Sequence, residues 1–388
     1  MGIVTGKPAL IKKINRSIVI KLIIKHKEIS RSEISKITKL SLPSVMRIID
    51  SLIDEGLVIE IGKGDSSGGR KPSLLSMNNN AMYIIGVEIA INSRIILTDL
   101  SGKVLDSEEF DNSNISTPLG VLTKIKECID SIISRNKDYE GLISGIGIGT
   151  PGENYKYNDS IEMAIIKGWE ELNVLSWFEN HFDYPVFVEN VARTRTLSEL
   201  WFGEGQSIKN FIYLFIDRGV GCGIVNNGSV YEGYNGVAGE LGHTIIQLDG
   251  RKCYCGNKGC LEMYVSAGAI LNQLKENNNY YKDYNFEKLI ENQSDEEIGS
   301  IIEKSAKIMG IATANLINLY NPEAVILGGI VAKSFEEFSK ILSDTLNENI
   351  FNKNALNTRI LSSKLDYEKT GLGSVALVIN NIFKSVEL

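Results

Sequence analysis

Three of the five cysteines lie within eight residues of one another, and this cluster constrains the local fold more tightly than any other feature of the sequence. Two glycines inside the run CYCGNKGC allow the backbone to turn sharply enough for the three sulfur atoms to converge. A histidine ten residues before the first cysteine completes a donor set that suits tetrahedral zinc. Because no position is left for water, the predicted zinc is structural. The alternative is three cysteines that are merely close in sequence. The predicted ligands are His243, Cys253, Cys255 and Cys260.

The other two cysteines, Cys128 and Cys222, stand alone, and crowding of the remaining three is typical of metal binding in a reducing compartment. The sequence contains no apolar run of about eighteen residues, the length that a membrane span requires. We therefore expect a cytoplasmic protein without membrane insertion, and 388 residues favour two or three domains. Basic residues also interrupt the N-terminal apolar stretch that a signal peptide would need continuous, namely Lys12, Lys13, Arg16, Lys21 and Lys25.

The net charge of −7 conceals an asymmetry between the start of the chain and the rest. Residues 1–75 contain 14 Lys and Arg against 7 Asp and Glu, whereas the remainder contains 27 against 41. A basic head on an acidic body indicates an anionic partner for the head alone. Double-stranded DNA is the commonest such partner.

Residues 1–77 predict a winged helix-turn-helix domain, which is mostly α-helical. Residues 14–26 place apolar side chains at helical spacing. Ser30 and Glu33 have the form of a capping box that begins a second helix, and a third helix begins after Ser41. The runs LVIEI and SLLSM, joined by a Gly/Ser-rich tip, are typical of a two-stranded hairpin, or wing. A small helical protein-interaction module is the alternative, which the basic, glycine-rich wing disfavours.

In such a domain the third helix can enter the major groove of DNA, and basic side chains at the wing tip can enter a minor groove. Hydroxyl and guanidinium groups at these two places are suited to base edges and phosphates. The predicted DNA-binding residues are Ser41, Ser44, Arg47, Arg70 and Lys71.

A short polar linker at 78–82 leads into a body in which β-branched runs alternate with helical segments. The body opens with three consecutive predicted strands, and a second, similar half starts at FIYLFIDRGVGCGIV. Two halves that each open with a β-meander and continue with helices fit a duplicated α/β fold of the actin-like, ribonuclease H-like or sugar-kinase type around a central cleft. We predict subdomains at 83–195 and 196–370, and the C-terminal helix at 371–388 is a candidate addition to the first.

The run CYCGNKGCLEMYVS resembles, position by position, the zinc motif of the ROK family of repressors, open reading frames and kinases. GGRKP at 68–72 is similar to the wing of that family's sugar-responsive repressor branch, of the xylose and N-acetylglucosamine repressor type. With the head included, the resemblance covers essentially the whole chain. The longer family signature is matched by Gly219, Gly221, Gly223, Gly233 and the run GELGH at 239–243.

The resemblance implies a monosaccharide or sugar phosphate in the cleft, bound beside the metal and by one asparagine of the opposite subdomain. Carboxylates accept hydrogen bonds from neighbouring hydroxyls, and a metal-bound histidine presents its second ring nitrogen at fixed geometry. For the two glutamates, the alternative is a surface carboxylate without a ligand. The implied sugar-binding residues are Gly152, Asn190, Glu240, His243 and Glu262.

The chain departs from the family's kinases at positions that phosphoryl transfer needs. Those kinases carry Asp-x-Gly-Gly-Thr-Lys on the first hairpin, where this chain has EIAINS at 88–93. Their catalytic Asp follows an Asn, whereas Asn190 is followed by Val191, which cannot act as a base. We therefore expect no catalytic residues and no enzyme activity. An active sugar kinase with a regulatory head is the alternative.

The same changes bear on the ligand. Val191 and Ile165, four residues before Trp169, stand where the kinases have polar sugar contacts. Two lost polar contacts fit a pentose or a deoxy sugar, or a site that has lost sugar binding. Arg193 and Arg195 could suit a phosphorylated sugar, although salt-bridged or solvated helix arginines are the more common case.

Together these features predict a repressor that binds a palindromic operator as a homodimer, with a tetramer left open, and releases DNA when sugar closes the cleft. The third hypothesis is a repressor whose body responds to a protein partner instead of a sugar. The operator and the effector sugar are not specified by the sequence.

Overall fold

A computed structural model describes residues 8–63, 72–115, 117–151, 153–154, 161–162, 169, 172–351, 357–365 and 371–383. Within these residues an N-terminal head precedes a body that contains two five-stranded sheets. Among the helices of this described part, none is both long and apolar enough to cross a bilayer.

The head contains the three predicted helices and the predicted two-stranded hairpin, which a further two-residue strand at Ile29–Ser30 extends to a three-stranded sheet. Ser30 and Glu33 form the expected capping box at the start of the second helix. The first helix starts at Pro8, earlier than the apolar spacing at 14–26 indicates, because proline is well tolerated in a first helical turn. The hairpin tip at 64–71 lies outside the described residues. The elements are α1 (Pro8–His26), β1 (Ile29–Ser30), α2 (Arg31–Thr38), α3 (Leu42–Asp54), β2 (Val58–Lys63) and β3 (Ser73–Met77).

The first sheet of the body has the strand order β10-β7-β4-β5-β6. An antiparallel meander of three strands is extended by two parallel strands, each reached through helices. Its elements are β4 (Tyr83–Glu88), β5 (Asn92–Asp99), β6 (Val104–Asp111), α4 (Pro118–Arg135), α5 (Lys137–Glu140), β7 (Ile143–Thr150), the short pair β8 (Glu153–Asn154) and β9 (Ile161–Glu162), α6 (Val174–Glu179) and β10 (Val186–Asn190).

The second sheet repeats this plan, with the order β13-β12-β11-β14-β15. An antiparallel meander is again followed by two parallel strands, so the duplicated actin-like architecture expected from the sequence is confirmed. Its elements are α7 (Val191–Phe202), β11 (Phe211–Ile216), β12 (Val220–Asn226), β13 (Ser229–Val230), α8 (Glu262–Val265), α9 (Ala267–Asn277), α10 (Phe286–Glu291), α11 (Glu296–Tyr320), β14 (Ala324–Gly328), α12 (Ile330–Ser334), α13 (Glu336–Asn349) and β15 (Arg359–Ser362).

The last helix, α14 (Leu372–Phe383), packs on β4 and β7 of the first sheet and on α7. Ser17 of α1 donates a hydrogen bond to the main-chain oxygen of Phe383 at 2.5 Å, which joins the head to the end of this helix. Segment 78–82 contains a short 3₁₀ helix, and its Met82 is buried in the core that the head and body share. The head therefore rests directly on the body.

Candidate functional site

The cysteine cluster lies in a loop of the second subdomain, between the 3₁₀ turn Leu241–His243 and helix α8. Gly256 and Gly259 both have positive φ, +95° and +82°. A β-carbon at Gly259 would lie 1.8 Å from the main-chain oxygen of Gln247, so only glycine fits this close approach. The amide of Cys253 donates to the main-chain oxygen of Asn257 at 2.8 Å, which folds the loop back on itself.

The structure brings all four predicted metal ligands together, with their ligand atoms within 4.8 Å of one another. The sulfur atoms of Cys255 and Cys260 are 3.7 Å apart, and the sulfur of Cys253 is 3.7 Å from Nδ1 of His243. Sulfur atoms held at about 2.3 Å from one tetrahedral zinc are about 3.8 Å apart, so the donor set and its spacing fit zinc.

The isolated cysteines belong to the core. Burial raises the pKa of both Cys128 and Cys222 to about 12, so these thiols stay protonated at neutral pH. Neither residue is among the four that could hold a metal, as their isolated positions in the sequence indicate.

Polar groups of the predicted sugar site lie beside this cluster. The buried carboxylate of Glu262, at the start of α8, accepts a hydrogen bond from the amide of Val220 at 2.8 Å. Glu240 is exposed and immediately precedes the 3₁₀ turn Leu241–His243. The second ring nitrogen of His243, Nε2, is 3.3 Å from the hydroxyl of Tyr254, a residue that the sequence analysis did not single out.

Asn190 lies in the first subdomain, at the carboxyl end of β10. It is buried and caps α7, since its side-chain oxygen accepts a hydrogen bond from the amide of Ala192 at 2.7 Å. Val191 is the first residue of that helix, so no acidic side chain stands at this position. The remaining predicted sugar residue, Gly152, lies outside the described residues.

Arg195, on α7, joins the two subdomains through an ion triad in which Arg195 and Glu88 are buried and Asp217 is half-buried. Its guanidinium donates to Glu88 at the end of β4, at 2.7 Å, and to Asp217 in the β11–β12 hairpin, at 2.8 Å. Burial lowers the pKa of Arg195, but the two carboxylates more than offset this and raise it above its ordinary value. Arg193 pairs in the same way with Glu189, at 2.6 Å. Both arginines are therefore salt-bridged, which is the alternative that the sequence offers to a contact with a sugar phosphate.

The candidate DNA-binding residues of α3 lie at its exposed start. Ser41 and Arg47 are exposed, and Ser44, half-buried, shares a 2.9 Å hydrogen bond with Ser41. The opposite face of α3 is buried in the head's core, so these side chains point away from it. Arg70 and Lys71 lie outside the described residues.

Comparison with known proteins agrees with this architecture. The ROK family model matches residues 84–381, and a model of winged helix-turn-helix DNA-binding domains matches residues 14–59. The chain is 34% identical to the xylose repressor of Caldicellulosiruptor bescii, covering 98% of this chain and 99% of the relative. It is 28% identical to the DNA-binding transcriptional dual regulator NagC of Escherichia coli, covering 96% and 94%.

Solved structures of ROK family proteins are also similar to this chain. A ROK family transcriptional regulator described as a homologue of the E. coli Mlc protein superposes with a TM-score of 0.81 at 27% identity, covering 97% of this chain and 98% of that one. A ROK family glucokinase from Streptomyces griseus, at 24% identity, shares the fold of the body, with a TM-score of 0.66, and covers 76% of this chain.

Fold and site together define a winged-helix protein whose head is joined to an actin-like body of the sugar-kinase type. The chain belongs to the ROK family.

We predict that the purified chain carries about one equivalent of zinc and that Cys260→Ala loses most of it, because three ligands hold the ion less tightly than four. Metal analysis by mass spectrometry after gel filtration measures this directly. Cys222→Ala, which removes a buried thiol of the same subdomain, is the matched control and keeps its zinc. Full zinc content in Cys260→Ala would contradict the assignment.

We also predict that Arg195→Met lowers the free energy of unfolding by about 3–5 kcal/mol, because it leaves the buried Glu88 and the half-buried Asp217 without their cation. Urea denaturation measures the change. Arg94→Met, which breaks the more exposed pair with Glu109, costs only about 0–1 kcal/mol. Adding Glu88→Gln and Asp217→Asn to the first variant removes the uncompensated charges and recovers much of the loss. An Arg195→Met loss no larger than the Arg94→Met loss would show that the triad contributes little.

Proposed function

We propose that this chain is a transcriptional repressor of carbohydrate-metabolism genes that binds operator DNA through its head and is controlled by a sugar in the cleft of its body. The main support for this proposal is that head and body occur together in one chain, which aligns over nearly its whole length with proteins named xylose repressors. The proposal includes a structural zinc, a cytoplasmic location with the DNA, and a homodimer on a palindromic operator. A dimer of dimers is the open alternative.

We propose that the chain has no kinase activity. In the first hairpin the main-chain oxygen of Ala90 accepts hydrogen bonds from Ser93, at 3.2 Å, and from Asn112, at 2.5 Å. These polar groups bond one another, whereas a phosphate cradle needs donors directed at the ligand. Val191 offers no group that could remove a proton from a sugar hydroxyl. ADP formation in a coupled assay with a panel of sugars would instead support the sugar-kinase alternative.

The proposed effector is a pentose, with D-xylose the first to test. Two relatives that align over 97–98% of this chain are named xylose repressors. Apolar residues at positions 165 and 191 are also consistent with a sugar smaller than a hexose, because fewer polar contacts are then needed. The Arg193 and Arg195 ion pairs favour an uncharged sugar over a sugar phosphate.

Control of DNA binding requires that the sugar prefer one arrangement of the two subdomains. A ligand shifts an equilibrium only by its difference in affinity for the two states. A sugar that contacts Glu240, His243 and Glu262 on one side and Asn190 on the other favours the closed cleft. We expect the closed form to have the lower affinity for the operator.

We predict that Arg47→Ala weakens operator binding by about 1–3 kcal/mol, because it removes a base or phosphate contact at the exposed start of α3. The DNA is a duplex enriched from a random-sequence library by the wild-type chain, and affinity is measured by fluorescence anisotropy at fixed salt. Arg359→Ala removes an exposed arginine of the body and leaves affinity unchanged. Equal affinities of Arg47→Ala and wild type would exclude Arg47 as a DNA contact.

We predict that Glu240→Gln binds the same duplex normally but needs at least about tenfold more D-xylose for release, because a charged acceptor has been replaced by a neutral one. Glu287→Gln, at an exposed position of α10, is the control and responds like wild type. A normal response in Glu240→Gln would remove Glu240 from the site. If no sugar releases the wild-type chain and a protein partner does, the protein-controlled alternative holds.

A further inference from the structure

Tyr254 stands between two of the predicted zinc ligands, Cys253 and Cys255, and its hydroxyl reaches back over the cluster. The hydroxyl oxygen is 3.3 Å from Nε2 of His243. The two rings meet edge to face, with centroids 5.3 Å apart and an interplanar angle of 86°. When Nδ1 of the histidine binds the metal, Nε2 carries a proton and can donate it to this hydroxyl.

The negative charges of two carboxylates, Glu262 and Glu240, act on the same hydroxyl. A tyrosine hydroxyl is ordinarily protonated at neutral pH. In this form it is one donor and one acceptor, the same hydrogen-bonding capacity that a sugar hydroxyl has.

His243, which this hydroxyl contacts, and the two glutamates whose charges act on it are the residues to which the proposed function assigns the hydroxyls of the sugar. Resting on that function, we propose that Tyr254 occupies the position of one sugar hydroxyl in the free protein and is displaced when the effector binds. When the effector binds, one of its hydroxyls takes the place of the Tyr254 hydroxyl beside His243 and Glu262. Tyr254 thus sets how much sugar is needed for a response.

The side chain is placed to move without its backbone. When the neighbouring cysteines hold the predicted zinc, they fix the main chain on both sides, so displacement is a rotation of the side chain and not a loop movement. Tyr254 is 58% exposed, although its hydroxyl contacts His243. Rotating it outward uncovers little additional apolar area and therefore costs little.

The test compares Tyr254→Phe with the wild-type full-length chain by isothermal titration with D-xylose and a panel of pentoses and hexoses. Phenylalanine keeps the ring but not the hydroxyl that the sugar has to displace, so the dissociation constant should fall about three- to tenfold. Tyr320→Phe, at a half-exposed position in the last turn of α11, should bind like wild type. Both variants should keep the zinc content of the wild-type chain.

A second measurement observes the displacement itself. In protein labelled with 3-fluorotyrosine, the ¹⁹F resonance of Tyr254 is the one of the 15 tyrosine signals that Tyr254→Phe lacks. Saturating D-xylose should move this resonance towards that of free fluorotyrosine.

Each outcome decides the question. Sugar binding that is tighter in Tyr254→Phe, or present only in that variant, supports displacement. Unchanged or weaker binding by the variant overturns it, while the wild-type titration still confirms the proposed effector site. If no sugar binds either protein, the proposed function itself fails and the inference fails with it.

Discussion

The buried guanidinium of Arg195 holds the two halves of the body in their observed arrangement. It bonds Glu88 at the end of one sheet's first strand and Asp217 in the first hairpin of the other, and it stacks 4.7 Å from the ring centre of Phe215. Asp217 also accepts a hydrogen bond from the amide of Ile330 at 2.6 Å, at the start of α12. Charges that are largely removed from water are tolerated only when each is compensated, so these elements depend on one another.

The same strand links this triad to the head. β4, which ends at Glu88, packs against α14, and a β-carbon at Gly147 of the adjacent β7 would lie 1.9 Å from the main-chain oxygen of Ser374 in that helix. The far end of α14 accepts the hydrogen bond from Ser17 of the head. A contiguous packed path therefore runs from the junction of the subdomains to the domain proposed to bind DNA. Such packing is one means by which the proposed sugar cleft and the head can be energetically coupled.

Local signals in the sequence predicted the elements and the metal ligands. The Ser30 capping box, the alternation of β-branched runs with helices and the glycine-rich cysteine run each act over a few residues, so they can be recognised without a fold. The Arg195 triad could not be assigned in this way, because its partners lie 107 and 22 residues away and come together only when both sheets form. The Tyr254 contact was missed for a different reason. Its position between two ligands is visible in the sequence, but the direction of its hydroxyl is not.

The predicted metal ligands and the proposed sugar site share one imidazole, that of His243. A zinc ion on Nδ1 would fix the plane of the His243 ring, and with it the direction in which Nε2 points. The loop that supplies the thiolates also carries Tyr254, so the ligands that fold the loop place both the histidine donor and the hydroxyl it contacts. A structural zinc would thus support the proposed sugar site without itself contacting the sugar, because it would fix the orientation of His243.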